Sequence, residues 1–156
     1  MLRISNSITI DKPLSEVFAF VSDQRNNPKW NYYVMRVEKI NEIDGLGAEY
    51  LQTRKSDKQK FGVVVFKDNE RLVIQSLPGQ RLSVRRNLVF EGDEKRTTIH
   101  DQINFKVPLP KFLSLLILKG PIKGVKQNLE KLKTLLETGN VVLQDGREFN
   151  LKNTLN

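Results

Sequence analysis

In residues 3–10 apolar side chains fall on alternate positions, with Ile4, Ile8 and Ile10 on one face, which is the period-2 pattern of a half-buried strand. Asp11 and Pro13 break the alternation. Val17, Phe18 and Val21 then recur at helical spacing, predicting a short helix to about Ser22 with Ser15 placed to cap it. The turn formers of residues 23–31 stop that helix and leave room for a second short helical turn. Residues 32–107 read as six strands, separated by breaks at 44–47, 56–58, 68–69, 78–79 and 92–94. Such short connections force antiparallel neighbours, with one face buried and the other wet. Ile122, Val125, Leu129, Leu132 and Leu136 follow at gaps of three or four, one stripe of a long helix that Gly120 and Pro121 open and Gly139 closes. Just before it, residues 112–118 (FLSLLIL) are apolar nearly all round, so the protein or a partner should cover them. From Asn140 onward the chain either adds a ribbon through Val141 to Leu143 or stays loose. The expected division is a domain over residues 1–138 and a tail over 139–156.

The chain has no cysteine, which excludes disulfides, thiolate metal sites and a cysteine nucleophile and fits a reducing compartment. The N-terminal alternation is not a secretory signal, and no stretch approaches the roughly 20 apolar residues of a membrane span. A cytoplasmic protein is expected. The net charge of +8 directs attention to anionic partners. Nucleic acid is disfavoured, because the basic residues are spread along the chain, densest at residues 54–60, with no zinc finger or RNA-binding aromatic signature beside them. No metal or cofactor is expected: the single histidine, His100, falls on the polar face of its strand with Gln102 and Asn104, and neither a metal set nor a usable serine triad can be assembled.

The order strand, two short helices, six-stranded meander and long C-terminal helix resembles the START-like superfamily, also called SRPBCC, and within it the polyketide cyclase/dehydrase-like branch. Residues 8–20 (ITIDKPLSEVFAF) look like that family's strand, proline and amphipathic helix. Asp23 followed by Pro28 and Trp30 looks like its aspartate-to-tryptophan spacing, and residues 129–136 (LEKLKTLL) like its closing helix. The resemblance covers roughly residues 3–138 and implies an α+β helix-grip fold: a curved seven-stranded antiparallel sheet wrapped around a long C-terminal helix, with two short helices between strands 1 and 2. It also implies a ligand cavity between sheet and helix, used in the family for lipids, quinones, polyketides and similar molecules. Fold alone does not choose among carriers, cyclases and chaperone-linked members.

The last hairpin offers the sharpest local inference. A turn centred on Asp93 and Glu94 would pair Phe90 with Thr97, Leu88 with Ile99, Arg86 with Asp101 and Val84 with Ile103. The face carrying Leu82, Val84, Leu88, Phe90, Ile99, Ile103, Phe105 and Val107 is otherwise apolar and should be concave, leaving Arg86 and Asp101 as charges in an oily wall. They form either a self-satisfied ion pair or, in an enzyme, a carbonyl-polarising cation with a general base. Trp30 and Tyr33 can line the cavity mouth or pack in the core. Tyr50, Gln52, Arg54 and Gln75 are further polar candidates whose facing depends on turn register. From the helical segments Phe112, Leu116, Val125 and Leu129 complete the candidate ligand wall. Residues 112–118 have three readings: core, a lid over the cavity entrance moving on Pro108, Pro110, Gly120 and Pro121, or a surface patch for membrane or partner contact; Lys111, Lys119 and Lys123 beside such a lid suit transient docking to anionic membrane. A binder or carrier of a small hydrophobic molecule is favoured, because such a wall has few convergent polar groups. A polyketide cyclase/dehydratase-like enzyme and a chaperone- or stress-linked interaction module are the alternatives. The pattern sets no oligomeric state.

Overall fold

Ile4 and Ile10, on the face that the alternation selects, are buried in β1 (Leu2–Ile10). The computed structural model describes residues 1–106, 108–117 and 119–154. Val107, expected on the concave wall, and Leu118, the last residue of the apolar run, lie outside the described residues. Helix α1 (Leu14–Ser22) buries Val17, Phe18 and Val21, the three positions its periodicity marks. Its N-terminus differs from the expectation: Pro13 occupies the cap position, whose φ suits a helix start, and Ser15 sits inside the first turn. The Leu14 N–H is satisfied across the fold by the Asp93 carbonyl at 2.9 Å. A 3-10 turn (Gln24–Lys29) follows, capped by Asp23 accepting from the Arg25 N–H.

Six strands then run as a meander: β2 (Val34–Lys39), β3 (Glu49–Arg54), β4 (Lys58–Lys67), β5 (Arg71–Ser76), β6 (Ser83–Gly92) and β7 (Thr97–Lys106). The seven-stranded sheet has the order β1-β7-β6-β5-β4-β3-β2, with every pairing antiparallel. Irregularities between Val34 and Arg36 and between Val63 and Val65 occur where a curved sheet needs extra local twist. Helix α2 (Lys111–Ile117) leads into α3 (Lys119–Thr138). In α3 the buried side chains include Leu129, Leu132, Leu135 and Leu136, which join Phe18, Leu72, Phe90 and Ile99 in one core. This is the α+β helix-grip arrangement, with the sheet folded around the long C-terminal helix.

The stripe on α3 departs from the periodicity at both ends. Ile122 is exposed, whereas Gly124, Asn128 and Leu135 are buried. At Gly124 the cause is local: the Tyr33 ring packs on the glycine so closely that a Cβ there would lie 2.3 Å from the hydroxyl and the ring would have to shift. Beyond the helix, β8 (Asn140–Val142) and β9 (Glu148–Asn150) form a hairpin whose Val141 and Leu143 are buried in the same core. Among the described residues, no helix is long and apolar enough to cross a membrane.

Candidate functional site

Between the concave sheet face and α3 lies a cavity of about 370 Å³. Its sheet wall carries Val84 and Arg86 from β6 and Ile103 and Phe105 from β7. Ile74, Gln75, Phe61, Gln59, Gln52 and Arg54 continue it across β5, β4 and β3. Alternation explains most of the membership, since each strand sends every second side chain inward; Gln75 is the exception, bordering the cavity while its amide oxygen accepts from the exposed Arg85 opposite it. The helix contributes Pro121, Val125 and Asn128, and the rim is completed by Asn27, Asn31, Tyr33, Lys55 and Ser56.

The β6–β7 hairpin corrects the expected register. Phe90 pairs with Ile99, Leu88 with Asp101, Arg86 with Ile103 and Val84 with Phe105. The loop spans residues 93–96 rather than two residues, because the Asp93 carboxylate accepts from the Lys95 and Arg96 N–H groups while the Asp93 N–H donates to the Arg96 carbonyl. A two-residue slip preserves parity. Arg86 and Asp101 therefore remain on the inner face as diagonal neighbours, and the long guanidinium spans the diagonal. Arg86 Nε and Nη2 donate to the two Asp101 oxygens at 2.8 and 2.6 Å, a bidentate pair in which the Asp101 side chain is 0% and the Arg86 side chain 12% exposed. The guanidinium carbon also lies 5.5 Å from the centre of the Trp30 ring. Among the described residues two buried donors stay unpaired, Trp30 Nε1 and Nδ2 of Asn6, the cross-strand partner of Asp101 in β1.

The other candidates divide into three groups. Val84, Arg86, Ile103, Phe105, Tyr33 and Val125 line the cavity. Leu88, Phe90, Leu129 and Trp30 pack in the core instead, where their size is spent on filling the space between sheet and helix, and Asp101 lies behind Arg86. Phe112 and Leu116, 66% and 63% exposed, point to solvent rather than into the cavity. Of the polar residues whose facing depended on register, Gln52 and Arg54 line the cavity, Gln75 borders it with its amide turned to Arg85 on the outer face, and Tyr50 is buried against Phe61 with ring centres 5.5 Å apart. Burial pushes the Tyr50 phenol up.

Asn128, Gln59 and Asn31 escaped sequence reasoning. Asn128 is buried on the core side of α3, accepting from the Tyr32 N–H at 3.2 Å and donating to Asn31 Oδ1 at 3.0 Å. A polar residue at a position adjoining the apolar stripe was the signal available. On the opposite, convex face His100 is exposed, as its parity predicts, with Ser7 Oγ 2.8 Å from Nδ1 and Glu91 Oε2 3.3 Å from Nε2. The three side chains form a serine–histidine–glutamate chain of contacts. Ser7, on edge strand β1, and His100, on β7, face each other mid-strand on the exposed side of the sheet, away from the cavity between sheet and α3. Among the described residues no group of three or more His, Cys, Asp or Glu side chains could hold a metal ion.

The three cations of the cavity wall are each held by a carboxylate. Arg86 pairs with Asp101, Arg54 with Asp57 through two bonds of 2.6 Å, and Lys55 with Asp145 at 2.9 Å. The Lys55 hydrogen bond, then the Arg147 N–H and guanidinium, hold the Asp145 carboxyl down at about 2 instead of 3.8. A carboxyl depressed in the folded state adds stability that is present above its ordinary value and is lost as the pH falls through the folded value. Asp145→Asn is accordingly expected to be less stable than the parent at neutral pH, with the gap closing as the pH approaches 2. Urea unfolding at a series of pH values checks this; a gap that does not change with pH would remove Asp145 from the linkage.

A curved sheet gripping a terminal helix with a cavity between them defines the START-like class of ligand-cavity domains. Within it, the chain belongs to the polyketide cyclase / dehydrase and lipid transport family, which matches residues 1–137. Solved structures share the fold at low sequence identity. A START superfamily protein from Mycobacterium smegmatis aligns with a TM-score of 0.65 and 12% identity over 86% of this chain and 98% of the other. The Aha1 dimer from Colwellia psychrerythraea aligns at 0.69 and 15% identity, over 89% and 98% of the two chains. BexL, the di-domain ARO/CYC protein of the BE-7585A biosynthetic pathway, aligns at 0.63 and 11% identity over 85% of this chain and 47% of that one. No curated protein matches the chain by sequence.

Proposed function

We propose that the protein binds, and can carry, a small and mainly apolar molecule in the cavity between sheet and α3. The observation that carries this reading is the make-up of the wall: Val84, Ile103, Phe105, Ile74, Phe61 and Val125 supply apolar surface, and every cation present is already neutralised by a carboxylate. An anionic head group would have to displace one of those carboxylates. A neutral molecule would not. The remaining polar groups, the amides of Gln52, Gln59, Asn31 and Asn128, suit one or two carbonyl or hydroxyl oxygens on an otherwise oily body, as in a quinone, a sterol-like lipid or a neutral polyketide. Binding is favoured over base catalysis by Asp101, since both its oxygens are engaged by Arg86 and its side chain has no exposure to a substrate.

The test pairs identification with obstruction. Native mass spectrometry followed by organic extraction should recover an apolar molecule from the purified protein. Titration with the neutral probe N-phenyl-1-naphthylamine should saturate at one site. Val84→Trp, which fills the cavity from near the start of β6, is expected to weaken probe binding by about tenfold or more with little loss of stability. Probe affinity unchanged by Val84→Trp would place binding elsewhere and overturn the reading.

A further inference from the structure

Phe112, Leu113 and Leu116, from the apolar run of residues 112–118, lie outside the cavity and outside the core. In α2 the side chains of Phe112, Leu113 and Leu116 are 66%, 39% and 63% exposed, with Leu109 at 43% just before the helix and Ile122 at 47% just after it. Soluble surfaces rarely gather this many large apolar side chains in one short stretch. Their charge surroundings are equally one-sided. Residues 102–129 contain five lysines, Lys106, Lys111, Lys119, Lys123 and Lys126, and no acidic residue; all five lysines are exposed.

We infer that this face docks on an anionic lipid bilayer, with Phe112, Leu113 and Leu116 entering the interfacial layer and Lys111, Lys119 and Lys123 contacting the head groups. The combination of oily and basic groups selects the occupant. A second copy docking through the same patch would bring the lysine cluster of each subunit against that of the other. A nucleic acid would use the lysines and leave the apolar side chains in water. An anionic bilayer satisfies both sets: acyl and glycerol regions take up apolar side chains, and negative head groups attract a flanking basic cluster. The position also has a use. Lys119 opens α3, and two residues later Pro121 forms part of the cavity wall, so the docking face adjoins the cavity along the chain. This inference stands apart from the ligand-binding reading, and either can fail alone.

The purified full chain is mixed with phosphatidylcholine vesicles that contain either no anionic lipid or roughly one-third phosphatidylglycerol, and bound protein is measured by flotation. Binding is expected to the anionic vesicles, falling steeply as salt is raised. Phe112→Glu/Leu116→Glu should lower the bound fraction about tenfold or more, because it both removes apolar area and adds like charge to that of the lipid. Lys111→Glu/Lys119→Glu/Lys123→Glu should do the same through charge. All five positions are exposed, so circular dichroism and naphthylamine binding should stay at parent values, which separates loss of docking from loss of fold or cavity. Equal binding to neutral vesicles, or none to either, overturns the inference. So does a parent dimer in solution that Phe112→Glu/Leu116→Glu converts to monomer, since the face would then belong to a second copy.

Discussion

Replacing Arg86 by leucine is expected to destabilise the protein by about 3–5 kcal/mol, and replacing Asp101 by leucine in the same chain to recover most of that loss. The asymmetry follows from burial. Asp101 is 0% exposed at its side chain and both its oxygens bond the guanidinium, so the single substitution strands a carboxylate where water does not reach it. Removing both charges removes the uncompensated ion as well as the pair, and leaves two apolar side chains facing Leu88, Ile103 and Val84 across the wall. The surrounding layer already tolerates imperfect polarity, since the Asn6 amide and the Trp30 indole N–H lack acceptors. Urea unfolding of the parent, both single variants and the double variant supplies the cycle. A double variant as unstable as Arg86→Leu would mean that the pair holds the sheet in a way that hydrophobic packing cannot replace. Arg86→Leu should also change the cavity wall, because Arg86 lines it while Asp101 does not. A loss of probe affinity shared by Arg86→Leu and the double variant, but not by Asp101→Leu, would assign a ligand contact to the guanidinium.

Why the pair could be found from the sequence at all is a matter of parity. Strand side chains alternate, so an error of two residues in the β6–β7 turn changed the partner of Arg86 from Asp101 to Ile103 without moving either charge to the other face. A one-residue error would have inverted every assignment on the hairpin. The same arithmetic placed His100 outward correctly. Helical periodicity was less forgiving on α3: hydrophobic spacing selected Ile122, which is exposed, and passed over Asn128, which is buried because it bonds the Tyr32 N–H and Asn31. Nothing in local pattern states that a buried amide will find partners about a hundred positions away in the chain. Residues 112–118 show the converse limit. Their composition requires cover, and intrachain packing leaves Phe112 and Leu116 without it. The cavity rim was legible only in part for a similar reason, since Lys55 and Asn31 reach it through loops whose course depends on the C-terminal hairpin and on Asn128.

That hairpin supports the second large effect: Leu143→Ala is expected to destabilise the whole domain by about 2–5 kcal/mol, lowering the midpoint of a single thermal transition by roughly 5–15 °C. The pattern of residues 139–156 suggested a tail, yet Leu143 is 3% and Val141 4% exposed, and both sit in the cluster that holds Leu132, Leu136 and Trp30. A truncated Leu143 leaves a void beside residues that have no other way to fill it. The hairpin is also tied to the cavity side of the fold by polar bonds. Arg147 donates to the Tyr32 carbonyl at 2.9 Å and the Val34 carbonyl at 3.2 Å, and Asp145 holds Lys55 on the rim. Ending the chain at Thr138 would remove those donors together with the apolar contacts, leaving the loop that carries Tyr33 without its anchor. Its destabilisation should therefore be at least as large as that of Leu143→Ala, and it should weaken naphthylamine binding as well. If residues 139–156 were a dispensable appendage, Leu143→Ala and the truncated chain would both unfold at the parent temperature, and differential scanning calorimetry of the three proteins separates the two outcomes directly.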